Sequence, residues 1–220
     1  MPDESLVPEI VEGSELDEIR RRPASRQRRV LSSPDIPHVN AEAVQRIAQM
    51  AESYGRGSKG KRDKLLILTL FDGCLRVSEA LRLRPVDLQS TGQGFRVHVY
   101  GKGGKGGEAA LSADTAAKLY AYINDHGLDG HDHIFQINRK RAHQIVQRAF
   151  HRASVPKPEG TGYCHVLRHS GAIARLRSSQ NPKSIQDQLR HASPEMTMRY
   201  WKTLQREESL QIQERVNPWR

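Results

Sequence analysis

The sequence predicts a mainly α-helical domain with one small antiparallel β-sheet, an α+β fold. Three observations predict it. Apolar residues recur at helical spacing through most of the chain. Clear alternation occurs in one place, where Phe95, Val97 and Val99 oppose Arg96, His98 and Tyr100. A glycine-rich turn over 101–107 follows at once and leads to a second short run, Glu108 to Leu111, so the two read as a β-hairpin.

The elements follow in order. Asn40 is placed to cap a first helix, with Val44, Ile47, Ala48 and Ala51 recurring until Gly55. Gly55 to Lys61 reads as a short basic loop. Leu65 to Phe71 is apolar nearly all round, which predicts a buried helix. Val77 to Leu83 is a further helix, stopped by Pro85. After the hairpin, Ser112 caps a helix running to about Asn124, and Ile134-Phe135 reads as a brief strand. Residues 139–152 form a strongly basic helix with Ile145, Val146 and Phe150 on its apolar side. Helices over His165–Leu176, Pro182–Leu189 and Pro194–Leu204 complete the body, the last opened by Ser193 and Pro194. Residues 206–217 are weakly amphipathic on Leu210, Ile212 and Val216, so 206–220 is set apart as a C-terminal tail or exchanged helix.

The ends and the composition narrow the class. Residues 1–18 carry seven acids and no base, and residues 20–29 carry six arginines and no acid. With Pro23, Pro34 and Pro37 among them, these residues offer too little apolar surface to fold, and 1–37 is expected to be a disordered charged tail. The whole chain has 220 residues and a net charge of +10. Residues 1–29 contribute −1, so the remaining 191 residues hold +11. A basic body with a pI near 9.9 makes a polyanion the first partner to expect. Two cysteines, Cys74 and Cys164, ninety residues apart, give neither a disulfide framework nor a zinc spacing, and suit a reducing cytosol. No apolar run approaches the roughly 18 residues that span a bilayer. The N-terminus lacks the basic-then-apolar pattern of an export signal. A cytoplasmic protein without a membrane partner is expected.

The last third carries the chemistry. Cys164-His165-Val166-Leu167-Arg168-His169 is followed by Leu189-Arg190-His191 and by Thr197-Met198-Arg199-Tyr200. Gaps of three, twenty-three and nine residues separate His165, Arg168, His191 and Tyr200. Upstream, Leu75-Arg76-Val77-Ser78-Glu79 supplies a second arginine, and Gly101-Lys102-Gly103 supplies a lysine. Two arginines, a lysine, two histidines and a tyrosine can cut a phosphodiester without metal. Taken singly, each has an ordinary reading: a surface charge, a turn lysine, a tyrosine packed in a helix. His165 and His169 stand four apart, as zinc-binding pairs do, but Val166 occupies the place where a glutamate is needed, so no metal is expected. Gly101, Gly103 and Gly106 match a dinucleotide-loop spacing, yet no helix starts inside that loop, so no cofactor is expected.

Joint order and spacing give these residues a meaning that each lacks alone. Over about residues 38–205 the chain resembles the tyrosine recombinases, the phage integrases and their relatives. The resemblance implies the recombinase catalytic-domain fold, and it carries over Arg76, Lys102, His165, Arg168, His191 and Tyr200 as the catalytic set. Tyr200 would attack phosphorus, giving a 3′-phosphotyrosyl link. Arg76 and Arg168 would grip the phosphoryl oxygens, because a guanidinium is planar and stays charged. Lys102 would protonate the leaving 5′-oxygen, with Lys105 a rival on the same hairpin. His165 would accept the tyrosine proton and His191 would hydrogen-bond the phosphate. Ser78 and Glu79 would help seat Arg76. In the basic helix Arg139, Arg141, Gln144 and Arg148 are expected to contact DNA.

There are departures from the family pattern. It usually has glycine two residues before the first arginine, where this chain has Cys74, and glycine before the second histidine, where this chain has Arg190. It also usually places a DNA-clamping domain ahead of the catalytic one, where this chain shows only the charged segment. The arginines of 20–29 are expected to supply part of that grip. Double-stranded DNA and a homo-oligomer, dimer or tetramer, are the implied partners. Two other readings remain open. One is a non-catalytic DNA-binding regulator, favoured by the helix-turn-helix look of 182–201. The other is a type IB topoisomerase, which shares the chemistry but acts alone.

Overall fold

A computed structural model of the chain describes residues 35–55, 57–100 and 106–216. The expected tail up to residue 34, with its arginine run, and both lysines of the hairpin tip, Lys102 and Lys105, lie outside the described residues.

Folded structure begins earlier than the expected boundary at residue 37. Ile36 is buried, and its backbone N–H donates to Thr203 Oγ1 at 2.9 Å. Helix α1 (Ala41–Tyr54) is capped by Asn40, whose side chain accepts from the Ala43 N–H. Its apolar face packs on α2 (Ser58–Asp72), which starts inside the segment expected to be a loop. The four-residue helix α3 (Val77–Ala80) is shorter than expected. Pro85 excludes helical backbone at Arg84, and the chain turns into a 3-10 segment over Pro85–Asp87, with the Asp87 carboxylate accepting the Arg84 N–H.

The sheet has three strands rather than two. Strand β1 (Leu88–Thr91) pairs with β2 (Gly94–Tyr100), which pairs with β3 (Gly106–Leu111), all antiparallel in the order β1-β2-β3. Val97 faces both Leu88 and Ala109 in the register, so the expected inward side of β2 is the buried one. Strand β1 is short and polar, with Leu88 its single buried residue, which is why no alternation betrays it. Ile134 and Phe135 are buried but join no strand.

The remaining helices are α4 (Ala113–Asp125), α5 (Arg139–Arg152), α6 (Tyr163–Ser179), α7 (Pro182–Leu189) and α8 (Pro194–Gln213). The break expected at 206 is absent: α8 runs unbroken to Gln213, since no proline or glycine interrupts it.

Helix α6 is the spine. It passes so close to α2 that a Cβ at Gly171 would sit 1.8 Å from the Phe71 carbonyl oxygen, so only glycine allows the crossing. Its first half, with Cys164, Val166 and Leu167, enters the main core of α1–α5 and the sheet. Its second half, with Ala172, Ile173 and Leu176, packs in a separate cluster with Ile36, Cys74, Ile185, Leu189, Tyr200 and Leu204. Gln188 of α7 joins these parts. Its amide accepts the Ala110 N–H and donates to the carbonyls of Gly73 and Ala110, covering the free edge of β3.

Candidate active site

Arg168 sits where the two clusters meet and is 3% exposed. Its guanidinium donates through Nη1 to the Cys74 carbonyl and through Nη2 to the Leu189 carbonyl, the latter at 2.9 Å. Both carbonyls come from left-handed turns. Cys74 has φ 48° at the end of α2, and Arg190, just after Leu189, has φ 55° at the end of α7. These are the two positions where glycine was expected from the family pattern. A side chain in this conformation costs about 1–2 kcal/mol. The turns survive without glycine, and they aim their carbonyls at the same guanidinium.

Arg76 caps α3 and is more open, its side chain 44% exposed. Glu79, only 2% exposed, accepts the Arg76 backbone N–H on Oε2 at 2.7 Å and Arg76 Nη1 on Oε1 at 2.8 Å. The same carboxylate accepts Arg190 Nη2 at 2.7 Å and lies 3.6 Å from Arg168 Nη1. Burial alone would push the Glu79 carboxyl up. Arg190 foremost, then the Arg76 backbone N–H and Arg168, outweigh it and hold the carboxyl below its ordinary range. Burial, reinforced by Arg76, lowers Arg168 to about 10, still charged at neutral pH.

Tyr200 reaches the site from α8 and is 3% exposed. Its hydroxyl lies 2.7 Å from His169 Nδ1. Burial pushes the phenol up to about 12, and Arg168 and Arg199 pull only partly against it. The same burial, with His165 and Arg168 nearby, lowers His169 to about 4. His169 is therefore neutral at pH 7, and in its Nε2–H tautomer the bare Nδ1 accepts the phenol O–H. His165 makes no hydrogen bond to Tyr200. Its ring centre is 6.2 Å from that of His169, one turn of α6 away. The proton acceptor expected at His165 thus has a nearer rival in His169.

His191 follows the α7 turn. Its Nδ1 pairs with Thr197 Oγ1 at 3.1 Å, and its ring centre lies 6.0 Å from that of Tyr200. Burial, then Arg168 and Arg76, lower it to about 4. The segment 182–201 does form two helices joined by a turn, but that turn faces inward. Leu189, Arg190 and His191 all engage the site, so the turn is not an exposed reading element.

The basic helix α5 splits its expected DNA contacts between two directions. Arg139 stands beside Cys164 and His143, and its charge helps depress His143 and His165. Arg141 and Arg148 instead line a cleft with Lys59 and Tyr54, where the Arg152 guanidinium stacks 3.9 Å above the Tyr54 ring. Gln144 is half-buried on α5 and has no side-chain hydrogen bond among the described residues. Sequence spacing brings together Arg76, His165, Arg168, His191 and Tyr200. The fold adds His169 and Arg190, which lie within the same two motifs, Cys164–His169 and Leu189–His191.

Fold and site together have the form of a tyrosine recombinase catalytic domain. The chain belongs to the phage integrase family, whose model matches residues 38–207. A tyrosine recombinase XerC from Rhizobium meliloti is 34% identical over 141 residues, covering 61% of this chain and 43% of that protein. XerC from Pelobacter propionicus is 30% identical over 148 residues, 64% of this chain and 47% of that protein. The chain thus spans about half the length of the curated relatives it matches. Among solved structures, the XerH recombinase bound to a palindromic difH substrate after cleavage matches with a TM-score of 0.68 at 23% identity, over 81% of this chain and 53% of that one. The catalytic domain of the bacteriophage HP1 integrase matches at 0.60 and 19% identity, over 77% and 89%. These likenesses show the fold. Among the described residues no helix is long and apolar enough to cross a membrane.

Proposed function

We propose that the chain is a site-specific DNA strand transferase that cuts and rejoins duplex DNA through Tyr200. One observation carries the reading: the Tyr200 hydroxyl is bonded to a neutral imidazole beside two arginines, Arg76 held by the buried Glu79 carboxylate and Arg168 held by two backbone carbonyls. In the proposed reaction His169 takes the phenol proton. Tyr200 Oη then bonds to phosphorus and the 5′-oxygen leaves with a proton, so a 3′-phosphotyrosine forms and the phosphodiester energy is kept for religation. Arg76 and Arg168 hold the negative charge that builds on the phosphoryl oxygens. His191, whose Nδ1 is held by Thr197, and His165, on the open side of α6, complete the pocket around that phosphate. Lys102 or Lys105 supplies the proton to the leaving oxygen.

Arg139, Arg141, Gln144 and Arg148 are assigned to the DNA surface. Residues 35–213 form the catalytic unit, and work on DNA in the cytoplasm as a homo-oligomer fits the family. No observation favours a non-catalytic regulator, since a pure binder has no use for a tyrosine paired with a base. A nicked suicide duplex tests the reading. The chain should form an SDS-stable adduct, and Tyr200→Phe should bind the duplex but form none. An adduct with Tyr200→Phe would move the nucleophile elsewhere. Exchange of strands between two sites, rather than relaxation of a supercoiled circle, separates a recombinase from a topoisomerase.

A further inference from the structure

Arg190 is placed as no merely structural residue needs to be. It occupies a left-handed position with φ 55°, where a side chain is strained. Its guanidinium is largely buried beside two other arginines, and its Nε has no partner among the described residues. All three features oppose stability. What they achieve is visible at Glu79. A carboxylate oxygen offers two in-plane lone pairs. On Glu79 Oε2 one is taken by the Arg76 backbone N–H and the other by Arg190 Nη2, each at 2.7 Å. Arg168 Nη1 is left at 3.6 Å, beyond hydrogen-bond reach. A second Arg190 bond, from Nη1 to the Gln188 carbonyl at 2.6 Å, fixes the guanidinium in place. Its stem lies against the sheet, where a Cβ at Gly107 of β3 would stand 2.7 Å from Arg190 Cδ.

We infer that Arg190 is a positioning residue of the phosphate clamp: it saturates Glu79, so that the carboxylate cannot close on Arg168 and quench the charge meant for the scissile phosphate. The inference rests on the proposed strand-transfer reading for its consequence, but not for its geometry. Without Arg190, the free lone pair of Oε2 would draw Arg168 Nη1 inward. Arg168 would then hold a carboxylate in place of a phosphoryl oxygen. Gly107 leaves the room that the Arg190 stem requires.

Arg190→Gly tests this directly, because glycine accepts the left-handed backbone without strain. A crystal structure of that variant should show Arg168 Nη1 hydrogen-bonded to Glu79; an unchanged 3.6 Å gap would overturn the inference whatever the activity. On a saturating nicked duplex the variant should lose on the order of ten- to a hundred-fold in single-turnover cleavage, as misplaced catalytic groups do. Half-saturation should move by less than about three-fold, and Arg190→Lys should recover part of the rate. Equal cleavage by Arg190→Gly, or a loss confined to half-saturation, would contradict the role. Gly107→Ala should slow the parent by displacing the Arg190 stem, yet add nothing in the Arg190→Gly background. Additive losses would contradict the coupling, and Gly107→Ala still decides the matter if Arg190→Gly does not fold. If the parent itself forms no adduct, the strand-transfer reading fails while the crystallographic result still judges Arg190.

Discussion

The two halves of the site are held by different parts of the molecule. Arg168 is fixed by two backbone carbonyls at the edge of a core of thirty buried apolar residues, which also takes in the first half of α6. Tyr200 rests on the smaller cluster of nine. Its helix is held there by the Ile36–Thr203 hydrogen bond, the His169 bond, and contacts of Glu207 with His38 and Arg177 and of Arg206 with Asp35. Local opening tracks buried apolar contact, so the arginine wall should be the rigid one and the tyrosine helix the element that moves. A strand transferase gains from this division. The charge that meets the phosphate must be preorganised, whereas the nucleophile must approach and withdraw.

The largest effect is expected at the rigid wall. Arg168→Lys keeps a charge but loses the fork that two carbonyls and a phosphate require. Single-turnover cleavage should fall at least a hundred-fold with DNA affinity little changed, as for other lost oxyanion donors. A loss below about five-fold would remove Arg168 from the clamp.

His169→Gln sits on the boundary between the two halves. It keeps a polar contact to Tyr200 but cannot take a proton, and about a hundred-fold loss is expected. The pH profile sharpens this. A base lowered to about 4 works when unprotonated, so cleavage should hold from about pH 8 to pH 6 and decline as His169 protonates below that. Stability should follow the same direction. Burial lowers both His169 and His191 in the folded state from the ordinary histidine value of 6.5 to about 4, so the unfolded chain binds more protons between these values. Their stability contribution is complete above about 6.5 and is lost as pH falls toward 4. If His169→Gln keeps the parental pH profile, His169 is not the proton acceptor.

The smallest effects concern packing. Leu66→Ala in the main core should cost about 2–5 kcal/mol of global stability. Leu204→Ala in the small cluster should cost less globally, yet slow adduct formation a few-fold by loosening α8. Hydrogen exchange should be faster along α8 than along α2 in the parent, and faster still in α8 of the variant. Equal protection of the two helices would erase the proposed difference.

Much of the fold was legible because its helices are strongly patterned. Asn40, Ser112 and Ser193 each cap the helix they announce. Strand β1 was not legible, since its polar residues depend on pairing with β2 for their conformation. The α8 boundary failed for another reason: the change from buried to exposed after Leu204 is a change of environment, not of backbone. In the site, spacing named Arg76, Arg168, His191 and Tyr200, because their types are chemically demanding. It could not name Arg190, whose role depends on a left-handed turn that brings it to Glu79, more than a hundred residues away in the chain. It points to His165 as the proton acceptor and passes over His169, because spacing does not show which face of α6 meets α8.

The most direct test is the position of the covalent link itself. The chain should be trapped on a nicked suicide duplex, digested with protease and nuclease, and the nucleotide-bearing peptide sequenced by mass spectrometry. Strand transfer through Tyr200 predicts one modified peptide, with a 3′-phosphate joined to Tyr200. A link to any other residue, or to a 5′-phosphate, would contradict it.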